Sequence, residues 1–328
     1  MKGIFPDLKF GRATRDAYGE TLRELGAQHP EIVVLDADLA KSTKSAVFGD
    51  AFPDRFLNVG IQEANMVGMA GGLASAGKVP FISSFAAFVI LKGFDQLRMA
   101  VAYPHLNVKV VGSHGGISIG EDGASQQAVE DVALACALPG FVVCVPSDEH
   151  QMRAVVKAAY RHKGPVYIRS GRPKAPLIYE REPADFAFGC GHRLRDGQDA
   201  TVMANGLMVG AALVAHQQLL KEGIQLRVVD MASVKPLDEA EILAAARETG
   251  GIVVAEEHLI HGGLGARIAQ AVVRLQPVPM EFVGLQDTYA ESGDPEALMR
   301  KYGLTAEQVV AAVRRLLARR NGKAPTQG

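Results

Sequence analysis

Apolar positions in the first half of the chain fall into two alternating patterns. Ala13, Ala17, Leu22 and Leu25 recur at helical spacing within residues 11–29, and the apolar run 32–35 follows, closing on Asp36-Ala37-Asp38. This predicts a helix feeding a buried strand, with polar groups placed just past the strand's carboxyl end. The pattern returns along the chain: 78–83, 108–111, 141–145 and 165–169 are expected as strands, and 63–76, 92–103, 126–137 and 148–161 as helices. From 171 to 199 the periodicity fails while proline, glycine and charge accumulate, so a linker is expected there, with 181–198 as its core. A second unit begins with a strand at 200–205 and a helix at 208–222 that ends at Gly223, a favourable C-cap. Strands at 226–230, 252–256 and 280–285 then alternate with helices at 238–248, 263–274 and 305–320. The last helix carries Arg319 and Arg320 at the negative end of its dipole, ahead of a polar tail at 321–328. Short buried strands alternating with longer helices predict an α/β protein. Two three-layer α/β domains with mostly parallel sheets are expected, at 1–180 and 199–320.

The 328 residues are 48% hydrophobic and 22% charged, enough for a packed core without disulfides or a structural metal. Thirty-five basic against 36 acidic side chains give a formal charge of −1, which removes the global electrostatic case for a nucleic-acid partner. Cys136, Cys144 and Cys190 form no close cluster with histidines, so neither a zinc site nor a secreted disulfide framework is expected. They fit a reducing, cytoplasmic setting. No stretch reaches 18 uncharged apolar residues and the N-terminus has no sustained apolar core, so neither membrane spanning nor export is expected.

Two glycine-rich segments stand out. Gly68, Gly71, Gly72 and Gly77 lack the spacing of a phosphate-cradling loop and fit close helix packing. The run from Gly112 to Gly123 follows an expected strand, where open α/β sheets bind ligands, and it carries His114, Glu121 and Asp122. Glu63 opens an expected helix; such a carboxylate also fits plain dipole complementarity. Phe81, Phe85 and Phe88 fit the core by spacing alone, yet beside a carboxylate and a glycine-rich loop they also fit a pocket for an aromatic ring. His258 and His261 lack the spacing of a helical zinc motif and are expected in a structural loop at a subunit interface, so no metal is assigned to this chain.

Several blocks in order carry a family resemblance. Asp54-Arg55-Phe56 through Gln62-Glu63-Ala64-Asn65-Met66, Phe85-Ala86-Ala87-Phe88, Phe94-Asp95-Gln96-Leu97-Arg98-Met99-Ala100 and Gly112-Ser113-His114 through Glu121-Asp122-Gly123 resemble the C-terminal half of transketolase. Arg169-Ser170-Gly171-Arg172-Pro173 and Val234-Lys235-Pro236-Leu237-Asp238 continue it, over about residues 10–318. The resemblance implies a thiamine diphosphate pyrimidine-binding domain followed by a transketolase C-terminal domain. It implies that Glu63 contacts the N1′ nitrogen of the aminopyrimidine, that Phe85 and Phe88 receive that ring, and that Asp38 lies near the cofactor. It implies substrate roles for His114 and for Asp122 at a sugar hydroxyl, and phosphate contacts for Ser42 and Arg172. The cofactor then supplies the carbanion chemistry while the protein fixes tautomer and geometry. Gln126 stands where many transketolases have a second histidine, a change expected to alter proton handling without removing ketol transfer.

The family's N-terminal domain, whose Gly-Asp-Gly and downstream asparagine hold Mg²⁺ and diphosphate, has no counterpart in this sequence. A split enzyme is therefore expected, in which a separate N-terminal diphosphate-binding subunit of roughly 250–300 residues completes the site and holds Mg²⁺. Two such pairs would make a heterotetramer, while this chain alone would form a homodimer. Related thiamine chemistry, as in 1-deoxyxylulose-5-phosphate synthesis or the beta subunit of a 2-oxo acid dehydrogenase, is the alternative within the enzymes. A noncatalytic structural subunit is the alternative outside them.

Overall fold

Ile32–Asp36 are all buried, which a strand achieves only when both faces of its sheet are covered. That strand lies inside the first of two such sheets in the computed structural model, which describes residues 1–320 and Gly322. The remainder of the polar tail expected at 321–328 lies outside the described residues. In chain order, β1 (Phe10–Ala13) and α1 (Thr14–Gln28) lead into β2 (Ile32–Asp36), and α2 (Ala40–Thr43), α3 (Ala46–Ala51) and β3 (Phe56–Asn58) follow. Next come α4 (Glu63–Ser75), β4 (Val79–Phe85), α5 (Ala86–Leu91) and α6 (Phe94–Gln96), which runs on as a π-helical turn over Leu97–Ala102, then β5 (Lys109–Ser113). The first half closes with α7 (Asp131–Ala137), β6 (Val142–Cys144), α8 (Glu149–Arg161), β7 (Val166–Arg169) and β8 (Lys174–Pro176). The second half runs β9 (His192–Arg195), β10 (Ala200–Ala204), α9 (Met208–Leu220), β11 (Leu226–Asp230) and β12 (Ser233–Lys235). It ends with α10 (Glu239–Thr249), β13 (Ile252–Leu259), α11 (Leu264–Leu275), β14 (Met280–Leu285), α12 (Pro295–Lys301) and α13 (Ala306–Arg320).

The first sheet has the order β12-β6-β7-β5-β4-β2-β3 and is parallel except for β12. The second has the order β14-β13-β10-β11-β9 and is parallel except for β9. Helices α1 and α8 cover one face of the first sheet, burying Leu22, Leu25, Met152 and Val155 against Val34 and Ile168. On its other face the core is continuous with the second domain, because Val67, Ile82 and Val110 share a cluster with Met203, Val229 and Ile252. Helices α9 and α13 cover the far face of the second sheet, and Ile4 and Phe5 from the chain's start pack there too.

Three departures from the periodicity have local causes. The helix expected at 126–137 begins only at Asp131, because the Ala128 carbonyl accepts from the Gly116 amide at 2.7 Å and from Arg169, contacts a helical backbone would not offer. The helix expected at 92–103 begins at Phe94 and widens from α6 into the π-helical turn. The span read as linker, 181–198, contains β9, which pairs antiparallel with β11 and half-buries alternate residues. Asp148 caps α8 through the Gln151 amide at 2.8 Å, and its other oxygen accepts from Ile178 and Tyr179, so a helix cap also anchors the connecting chain.

Candidate active site

Chemically distinctive side chains gather past the carboxyl ends of β2, β4 and β5, where the strand order of a parallel sheet opens a crevice. Glu63 enters from the first turn of α4 and is 2% exposed. One of its oxygens accepts from Ser84 Oγ at 3.2 Å, and the other lies 3.6 Å from Lys92 Nζ. That ammonium also sits 4.3 Å from the centre of the Phe88 ring. Phe85 ends β4, and its ring stacks on Phe88 at 5.5 Å and 18° and on the His114 imidazole at 3.9 Å and 26°. A buried carboxylate thus faces the mouth of an aromatic stack. This is the chemistry that holds a flat, polar heteroaromatic ring: apolar contact on the faces and a hydrogen-bond acceptor at one edge.

His114 follows β5 with φ 61°, a left-handed conformation that turns its ring back over Phe85. Its Nδ1 lies 2.7 Å from Ser113 Oγ, and Arg15 Nη1 lies 3.0 Å from its Nε2. A guanidinium can only donate, so Nε2 is the acceptor and Nδ1 carries the proton toward Ser113. Burial, then the charges of Arg15 and Arg172, hold the His114 pKa down at about 3, which agrees with a neutral imidazole.

Arg15 is the residue that periodicity and motif reading left out. It projects from the first turn of α1, and Nη1 donates also to the Ser42 carbonyl at 2.9 Å, while its buried Nε has no hydrogen-bond partner. Ser42 lies in α2, a single turn held from below by Asp36. That carboxylate accepts from Thr43 Oγ1 at 2.7 Å, Ser45 Oγ at 2.8 Å and the Leu39 amide at 2.6 Å. Burial raises the Asp36 pKa while these three donors oppose the rise. Asp38, at φ 65°, exchanges hydrogen bonds with Asn58 at 3.2 and 3.3 Å and stays exposed at the rim.

The remaining residues lie on or beside the 114–127 loop. Arg172 donates to the Ile119 carbonyl and pairs with Glu121 at 2.6 Å, which holds the Glu121 pKa down. Glu121 and Asp122 are exposed, and Gln126 is half-buried with its side-chain oxygen accepting from Ser125. The structure therefore links Glu63, Phe88, Phe85, His114, Arg15 and Ser42 contact by contact, with Lys92 joining Glu63 to Phe88. Arg172 lies near enough to His114 for its charge to act there, and it bonds the loop that carries Asp122 and Gln126. The signals for Arg15 and Lys92 were available in principle: a basic residue in a first helical turn opposes the dipole, and Lys92 lies four residues past Phe88. His258 is committed to packing, since its Nε2 accepts from the Ala133 amide and its Nδ1 bonds to the Leu259 carbonyl. Among the described residues no group of three or more His, Cys, Asp and Glu is placed to hold a metal ion. No helix is long and apolar enough to cross a membrane among those residues.

Comparison with known proteins gives this geometry a context. The family model for the transketolase pyrimidine-binding domain matches residues 11–176, and that for the transketolase C-terminal domain matches residues 189–309. A Methanocaldococcus jannaschii protein named for a transketolase C-terminal section is 42% identical over 305 residues, covering 92% of this chain and 95% of its own. A subunit of 6-deoxy-6-sulfo-D-fructose transketolase from Clostridium sp. strain MSTE9 is 40% identical, covering 94% of this chain and 95% of its own. A solved split-gene transketolase, described as an inactive beta4 tetramer, superimposes with a TM-score of 0.88 at 49% identity, over 94% of this chain and 99% of that one.

Proposed function

This chain belongs to the transketolase family, and from that premise we propose that it is the C-terminal subunit of a split, thiamine diphosphate-dependent transketolase that moves a two-carbon ketol unit between phosphorylated sugars. The observation that carries the reading is the buried Glu63 carboxylate beside the Phe85, Phe88 and His114 stack, in a chain that matches split subunits over nearly their whole length. When bound, thiamine diphosphate supplies a nucleophilic carbon that can take up and release the ketol unit.

The chain's own residues hold and orient. Glu63 would hydrogen-bond the N1′ edge of the aminopyrimidine and stabilise a proton on that nitrogen, with Ser84 fixing the carboxylate that faces it. The Phe88 ring, backed by Phe85, would take one face of the pyrimidine and keep water off it, and the Lys92 ammonium would give up its place against Glu63 and Phe88 as the ring enters. Asp38 stands at the cofactor side of the rim. His114 is neutral with Nδ1–H directed at Ser113, and once Arg15 turns from Nε2 to the substrate's anion, Nε2 is free to accept a hydrogen bond from the sugar, with Asp122 registering a further hydroxyl. Gln126 contributes a neutral amide nearby, which hydrogen-bonds without titrating. Arg15, Ser42 and Arg172 take the terminal anion of the substrate, Arg172 exchanging Glu121 for it.

The diphosphate and Mg²⁺ are assigned to an N-terminal partner subunit. The free chain is a homodimer in this reading, two pairs with the partner form a heterotetramer, and the setting is cytoplasmic. The purified chain is expected to bind thiamine diphosphate weakly and to turn over little until mixed with that partner and Mg²⁺, as calorimetry and a ketol-transfer assay would measure. Tight stoichiometric binding with full activity from this chain alone would overturn the split reading, and turnover of pyruvate in place of pentose phosphates would move it to related thiamine chemistry. A guanidinium pair also accepts a sulfonate, and one relative is named for a sulfosugar, so the assay includes a 6-sulfonated ketose beside the phosphates.

A further inference from the structure

The loop that carries His114, Asp122 and Gln126 is not held by its own domain alone. Glu257, near the end of β13 in the second domain and 7% exposed, reaches across the junction and accepts the Ser118 amide at 2.6 Å. Gly116, at φ 81°, brings the backbone so close that a Cβ there would overlap the Glu257 carboxylate. Arg169 bridges the same seam, donating to the Glu257 carbonyl at 2.7 Å and to the Ala128 carbonyl. Farther along, the Ser292 hydroxyl donates to the Glu121 carbonyl, and Gln127 donates to the Glu291 carbonyl at 3.0 Å.

Gly116, Gly120 and Gly123 all take positive φ in this loop. Such a segment has many accessible conformations and little intrinsic preference for one. A buried acceptor supplied from outside selects among them, because a loop that moves away takes the Ser118 amide from a carboxylate that stays buried. We propose that Glu257 is a positioning residue of the active site: from the second domain, its carboxylate fixes the 114–123 loop so that His114 and Asp122 address one substrate. This assignment deepens the transketolase reading and rests on it for its catalytic consequence. The cofactor-facing residues Glu63, Phe85 and Phe88 are supplied by α4, β4 and α5, so Glu257 is expected to govern the substrate while leaving the cofactor alone.

The test compares Glu257→Leu, which removes the acceptor at similar volume, with Glu257→Gln, which keeps an acceptor oxygen. In the complex reconstituted with the N-terminal subunit, Glu257→Leu should lower kcat/KM for sugar phosphates on the order of ten- to a hundredfold, the scale of leaving a buried amide unpaired. Thiamine diphosphate affinity should be retained, and Glu257→Gln should recover most of the lost efficiency. Amide hydrogen exchange over 115–123 should accelerate in Glu257→Leu by a similar factor and return toward wild type in Glu257→Gln. Ser292→Ala, an exposed change that leaves the core intact, should loosen the same amides to a smaller degree and keeps the test available if the Leu variant fails to fold. Unchanged exchange at 115–123 in a folded Glu257→Leu or, failing that, in Ser292→Ala would overturn the proposal. Equal losses of cofactor and substrate binding would also overturn it, by showing a merely structural role. If the wild-type complex lacked ketol transfer while the exchange pattern held, the transketolase reading would fail and the loop clamp would stand.

Discussion

A positive charge in the first turn of a helix opposes the dipole, and Arg15 is placed there in contact with His114 and Ser42. Arg15→Ala should lower kcat/KM for phosphorylated sugars by about ten- to a hundredfold, as loss of a charge-assisted contact implies, with a smaller loss for unphosphorylated ones. Arg172→Ala should act in the same direction but more weakly, because its guanidinium first has to leave Glu121. Equal losses for both substrate types would remove either arginine from the anion end. The Arg15 change also relieves His114 of a neighbouring charge, so its pKa should rise from about 3, though burial, the larger cause, remains. Imidazole NMR of the wild type and the variant reads that shift directly. Glu63→Gln keeps the side chain's shape and its contact with Ser84 but removes the charge, so deuterium exchange at the cofactor's reactive carbon should slow while thermal stability changes little. Exchange at the wild-type rate in the reconstituted variant would exclude Glu63 from that step. Of these residues, Glu63 and Arg172 stand out as candidates in the sequence from the motifs around them. Arg15 was harder to read, because a charge against the helix dipole marks it while no spacing distinguishes a functional guanidinium there from a surface one.

The long elements were legible because burial imposes period. Helix α8 repeats apolar positions on one side and has Asp148 at its cap, and β10, β11 and β13 each carry a short core of small or branched apolar residues between turn signals. What escaped were short edge elements, whose stability comes from a partner strand instead of a pattern. β9 buries only alternate residues among charges, and β8 is three residues that pair with β1 at the chain's other end of the domain. The start of α7 escaped for the opposite reason: 126–130 has helical residues, but its carbonyls and side chains are engaged by Arg169 and the second domain. α12 had a readable signal in Asp294-Pro295, a cap followed by proline at the first helical position, and Asp294 does accept the Ala297 amide at 2.9 Å.

At the scale of the whole molecule, the two domains meet through polar groups as well as through a shared apolar core. Asp230, at the end of β11, accepts from Ser147 Oγ at 2.9 Å in the first domain and from Tyr179 OH at 2.8 Å in the connecting chain. Burial pushes its pKa up to about 7, against the pull of those hydroxyls. An unfolded aspartate releases its proton near pH 4, so between about pH 4 and pH 7 the folded protein keeps a proton that the unfolded chain has lost, and this group's contribution to stability falls as pH rises. Asp230→Asn keeps an oxygen for both hydroxyls and does not titrate, so its melting temperature should fall less than that of the wild type between about pH 5 and pH 8. Identical pH dependence of the two would exclude Asp230 as the source. The strand β12 has a different kind of consequence. It crosses from the second half of the chain to complete the first sheet beside β6, pairing Ser233 with Cys144, while Lys235 Nζ closes the end of α7 through the Cys136 and Leu138 carbonyls at 2.9 and 2.6 Å. A gene broken within the connector would hand one product an uncovered sheet edge and the other a strand with nothing to pair with. Recombination can therefore trade these two domains between relatives as a single cassette, with the workable seams for shuffling outside the span from β1 to α13.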